Sequence, residues 1–208
     1  MRLTSLTAMR RLTVVLCLLQ PGWAHAHLVS TRFGEYYAGL LHPVTTLTHL
    51  VPWLALGLLA GLQSAPQSRH TLLLFPLAVL LGSALGSLLP PQHWLDVINL
   101  LSFLLLGGLV LLARPLPVAA YCGLILATGI SHGYANGMPE LYGKNLGLYL
   151  AGVTTAAYLL VTVLTATSRQ LITRPSWGII AVRAGGSWIA AIGMMFLAFN
   201  VLIAPAAP

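Results

Sequence analysis

Six apolar runs near membrane-spanning length constrain this chain most: residues 44–62, 71–89, 94–112, 118–131, 146–165 and 186–203. A helix needs about 20 apolar residues to cross a hydrocarbon core roughly 30 Å thick, and only the fourth run falls well short of that. Composition points the same way. Only 6% of the 208 residues are charged and 58% are hydrophobic, whereas a soluble domain carries about 25% charge. Mean hydropathy is +0.88. The expected fold is an all-α integral membrane protein, a polytopic bundle of six transmembrane helices.

A separate signal precedes the bundle. Arg2, Arg10 and Arg11 flank a short apolar stretch at 12–19, and Ala24-His25-Ala26 has the small-x-small pattern of a cleavage site. Residues 1–26 are therefore read as a cleaved signal peptide. Residues 27–208 form a single six-helix domain, with His27 as its first residue. The mature N-terminus then lies outside. Arg69, Arg114, Arg169, Arg174 and Arg183 fall in the inside loops, against Arg32 and Lys144 outside. That bias matches the positive-inside rule, with both termini outside a bacterial cytoplasmic membrane. The net charge of +7 thus reflects orientation. No basic patch with interleaved aromatics suggests nucleic acid. Cys122 reads as a packed thiol.

Polar groups inside apolar runs are costly, and they face protein or a water-filled path. The first run opens on His42-Pro43-Val44-Thr45-Thr46-Leu47-Thr48-His49. Seven residues of helix put His42 and His49 on one face, roughly 10 Å apart. That is too far for one ion unless the helix breaks, and Pro43 and Pro52 are both placed to break it. The fourth run ends in Ser131-His132-Gly133-Tyr134-Ala135-Asn136, followed by Gly137-Met138-Pro139-Glu140. Imidazole with carboxylate or amide oxygen is a ligand mix for nickel or cobalt. The topology collects His42, His49, His93, His132, Asp96 and Glu140 at the outer end, as cation capture requires. Gly129-Ile130-Ser131-His132-Gly133 also matches a nucleophile-elbow pattern, but that motif needs a strand-to-helix turn, and here it ends a membrane helix. No P-loop is present, and no enzymatic activity is expected. Gly82 and Gly86 form a small-xxx-small pair suited to close helix packing.

These motifs resemble the HupE/UreJ family of nickel/cobalt permeases. The first corresponds to the family's H-P-x-x-G-x-D-H, and His132-Gly133-Tyr134-Ala135-Asn136-Gly137 to its H-G-x-x-H-G with a nearby acid, here Glu140. Arg183-Ala184-Gly185-Gly186 before the last run is also similar. The resemblance implies an inner-membrane permease for a divalent cation, nickel or cobalt, feeding metalloenzymes such as hydrogenase or urease. It implies His42, His49, His132 and Glu140 as metal ligands, with Thr45, Thr48 and Asn136 as oxygen donors. No cofactor is held permanently; Ni²⁺ or Co²⁺ is the substrate. The expected partners are that cation, the lipid bilayer, and a second copy or a membrane complex. Three positions depart from the pattern: Thr46 replaces the glycine, Thr48 the aspartate and Asn136 the second histidine. Threonine and asparagine are neutral, weaker donors. The alternative is accordingly a non-transporting assembly or metal-sensing partner that keeps the fold without the full ligand set.

Overall fold

The structure, a computed structural model, describes residues 34–174 and 177–202. The signal segment 1–26, Arg32 and His27 lie outside the described residues. Among the described residues seven helices follow in order: α1 Glu35–Thr45, α2 Leu47–Leu62, α3 Ala65–Leu88, α4 His93–Leu112, α5 Val118–Ala135, α6 Gly143–Ile172 and α7 Trp177–Leu202. The helices α3 to α7 are each long and apolar enough to cross a membrane. The pair α1 and α2 makes a sixth crossing if taken as one span, bent by 76°.

That bend is the break that Pro43 and Pro52 are placed to make in the first span. Pro43 lies in the last turn of α1, where it has no N–H to give the helix. Thr45 turns its hydroxyl back onto the Leu41 carbonyl at 2.9 Å, a bond that competes with the helical ladder. Thr46 then takes an extended conformation, φ −99° and ψ 104°. Its carbonyl starts α2 by accepting the amides of His49 and Leu50. Pro52, the other candidate breaker, stays within α2. The break falls between the two histidines.

Other boundaries lie beyond the apolar runs. The fourth run continues as helix through Gly133 to Ala135, so α5 is a full-length span. Helix α6 overruns its apolar core at both ends, and α7 starts at Trp177. Hydropathy marks only the part of a helix in hydrocarbon, whereas backbone hydrogen bonding carries each helix into the interface.

Two glycine contacts set how closely the helices approach. A Cβ on Gly86 would collide with the Tyr134 carbonyl, so α3 and α5 pack backbone to backbone. A Cβ on Gly152 would likewise strike the Tyr36 carbonyl, which holds α1 on α6. Small residues at such crossings are how membrane helices gain van der Waals contact, since lipid supplies no hydrophobic drive between them. Trp53, Phe75, Phe103, Tyr121 and Tyr149 fill the centre. Leu73, Leu77 and Leu81 of α3 and Met194 and Met195 of α7 face outward, as a lipid-facing surface requires.

The alternation of helices gives the bundle two unlike ends. Glu35, Asp96 and Glu140 stand at one, and Arg69, Arg114, Arg169, Arg174 and Arg183 at the other. At the arginine end Arg169 donates to the Gln63 carbonyl at 2.6 Å and to Ser68 Oγ at 2.8 Å. Gln63 Oε1 accepts the Leu116 amide at 2.9 Å, tying two inter-helix connections together.

Candidate functional site

The broken helix brings the first motif together. The His42 and His49 ring centres are 6.2 Å apart, well inside the roughly 10 Å that a continuous helix would impose. His49 then meets His132 from α5, with Nδ1 to Nδ1 at 3.2 Å and the rings edge to face. His132 is fully buried and His49 nearly so, while His42 is half-buried. Three imidazoles from three helices thus form a chain of contacts near the acidic end.

Hydrogen bonding orients this chain. Ser102 Oγ donates to the Asn99 carbonyl at 2.6 Å, so its lone pair faces His132 Nε2 at 2.9 Å. With its single hydroxyl proton engaged, Ser102 accepts from His132 Nε2–H. A neutral imidazole, the form that binds metals, then has Nδ1 as an acceptor. His49 must therefore supply the proton of the 3.2 Å contact from its own Nδ1. That assignment, made from the network, leaves a lone pair on His49 Nε2. A second partner that fixes the tautomer is a usual feature of metal-binding histidines.

A cavity of about 520 Å³ opens on His49, lined by Thr48, Asp96, Asn99, Phe196 and Asn200 among others. Pro52 has no N–H, so the Thr48 carbonyl at this cavity lacks its i+4 donor. Three buried polar atoms without partners stand close by: Asn99 Oδ1, Asn136 Oδ1 and Trp53 Nε1. Leaving such a group unsatisfied costs about 1–3 kcal/mol; of the three only Asn99 lines the cavity, where its Oδ1 is an acceptor.

The other expected site residues divide. Thr48 lines the cavity. Asn136 closes α5, its Nδ2 on the His132 carbonyl at 2.8 Å and its own carbonyl accepting from Tyr149 Oη at 3.1 Å. Glu140 lies exposed in the loop beyond α5 and does not line this cavity. Thr45 is exposed, with its hydroxyl on backbone. Among the described residues no three or more His, Cys, Asp or Glu side chains gather to hold one ion. The imidazoles meet in a chain rather than in a closed three-ligand cluster among the described residues. Ser131, of the nucleophile-like pattern, sits in unbroken helix with its hydroxyl on the Thr128 carbonyl at 3.3 Å. No elbow exists there.

Asn99 and Ser102, in line with the expected Asp96, are the contribution that motif reading missed. Positions 96, 99 and 102 make a polar stripe along an apolar helix, but which of its members reaches a histidine is set by tertiary contact.

No curated protein and no solved structure matches the chain. A family model described as HupE / UreJ protein matches residues 14–196, most of the sequence and all but the end of α7. The chain belongs to the HupE/UreJ family, and its apolar helices are those of a multi-pass membrane protein.

Proposed function

We propose that this protein is a permease for a divalent transition-metal cation, with nickel as first substrate and cobalt as second. The bundle lies in a bacterial cytoplasmic membrane with its acidic end outside and its arginine end inside. Membership of a family known for nickel/cobalt transport or accessory roles supports the class. The observation that carries the reading is the line of His42, His49 and His132, brought into contact by a helix broken at Thr46 and reached at His49 from an open, largely apolar cavity.

In this mechanism the cation sheds part of its hydration shell in the cavity and meets the lone pair of His49 Nε2. Thr48 and Asn99 oxygens replace lost waters. His132 and Ser102 hold the His49 ring in place, and His42 offers the next imidazole. A path must bind well enough to admit an ion and weakly enough to release it. Neutral donors at Thr48 and Asn136 and stations in series suit transit better than tight storage. The imported metal would supply maturation of an enzyme such as a hydrogenase or urease.

The test is uptake of radioactive nickel by cells expressing the intact protein, His42→Ala or His49→Ala at matched membrane abundance. Saturable uptake that falls to the vector background in His49→Ala and drops strongly in His42→Ala is expected. Uptake by the intact protein no greater than vector would overturn the permease reading. It would favour the second, an assembly or metal-sensing partner, which the lack of a three-ligand cluster among the described residues supports.

A further inference from the structure

We propose that His70 and Cys122 form a second metal site at the arginine end of the bundle, where Ni²⁺ or Co²⁺ is held by imidazole and thiolate before it leaves. The direction of travel rests on the permease reading, to which this adds an exit site.

Cys122 is not packed away as a core thiol. It is half-buried on α5, with Sγ 3.8 Å from Nδ1 of His70, itself half-buried on α3. The residues beside them in sequence hold the two helices at this level. Thr71 and Tyr121, both fully buried, share a hydrogen bond between their hydroxyls. The backbones on either side of the sulfur and the nitrogen are therefore fixed before any ion arrives. The spacing suits one ion. A tetrahedral first-row metal, with bonds of about 2.3 Å to sulfur and about 2.0 Å to nitrogen as for zinc, puts the two donors roughly 3.5 Å apart. From the observed 3.8 Å, the pair has to close by only a few tenths of an ångström.

The chemistry of this end differs from that of the histidine chain. All the carboxylates of the chain, Glu35, Asp96 and Glu140, stand at the opposite end. Cys122 can still give a cation a negative ligand here, because a thiol loses its proton on binding metal. That proton passes to water at the membrane face. A thiolate with an imidazole favours late first-row ions over magnesium and calcium, which take oxygen ligands. Two protein donors leave the other coordination positions to water or to an acceptor in solution. Arg69, exposed beside His70 in sequence, adds a like charge. Both features loosen the hold on the ion, as release requires. A free thiol also persists in a reducing cytoplasm, the side on which the permease reading puts this end.

Cobalt titration of the purified full chain in detergent, in a Cys17→Ser background, tests the site without requiring transport. Cys17 and Cys122 are the two cysteines of the sequence, so a thiolate-to-cobalt charge-transfer absorption in that protein can come only from Cys122. The band is expected to appear on saturation and to vanish in Cys122→Ser. In His70→Ala its midpoint should move to about tenfold higher cobalt or more. His49→Ala should leave the band unchanged, since that histidine lies towards the other end. No band at saturating cobalt, or a midpoint indifferent to His70→Ala, would overturn the site. In cells, Cys122→Ser should lower the maximal nickel uptake rate with KM little changed, and an unaltered maximal rate would overturn the exit role. A band without uptake by the intact protein sinks the permease reading while the site stands. Uptake without a band does the reverse.

Discussion

Ser102 shows how much depends on one hydroxyl in this bundle. It touches no solute, yet it receives the His132 Nε2 proton and thereby fixes which nitrogen of His49 carries a lone pair. Ser102→Ala is expected to leave the chain folded, with a loss of about 1 kcal/mol for one buried hydrogen bond. Apparent nickel affinity should fall by about tenfold, as for partners of metal ligands, with maximal uptake rate little changed. Ser102→Thr keeps the hydroxyl and should restore affinity. Unchanged KM in the alanine variant would show that the His132 tautomer does not set the His49 ligand. The histidines were legible from their motifs. Ser102 was not, because a serine in an apolar helix is ordinarily bonded to its own backbone and only proximity to His132 distinguishes it.

Among elements, the break between α1 and α2 determines the site. One proline lies within the first motif and one just beyond it, and sequence alone allowed either to end a helix. Pro43 contributes because it falls in a terminal turn already loosened by the Thr45 hydroxyl on Leu41. Pro52 falls where α2 packs around buried Trp53, Ala55 and Leu56, and the surrounding helices hold it straight enough to continue. Replacing Pro43 and Thr46 together by alanine, the best helix former, is expected to join the two helices and separate His42 from His49. Spin labels at positions 37 and 58 would then report a separation near the roughly 32 Å of 21 helical steps. The intact protein, bent by 76°, should give a shorter distance. Nickel uptake should be lost with the straightening. A straightened variant that still transports at the wild-type rate would mean that contact between the two rings is unnecessary.

For the whole molecule, charge separates by end: carboxylates at one, arginines at the other. Such a distribution sets orientation through the cost of moving Lys and Arg across the membrane. Alkaline phosphatase fused after residue 208 is expected to be active in the periplasm, and the same enzyme fused after Arg174 inactive. The reverse pattern would turn the cavity towards the cytoplasm and make the path an exporter.

The sequence by itself determined the class of this protein: all-α, membrane-embedded, with apolar runs that can satisfy their backbone only within themselves, and with histidine motifs that resemble those of its family. Those properties follow from local composition and spacing, which act before any helix meets another. Only the tertiary structure decided which proline breaks a helix, which histidines touch, and that Asp96 faces the same cavity as Thr48 and His49. Contact between His49 and His132 joins residues 83 positions apart. It depends on how closely α3 and α5 pack through Gly82, Gly86 and Gly133 and on where α4 lies beside them. Periodicity assigns each residue to a face of its own helix; the distance between two faces is set by the side chains, or their absence, where helices cross.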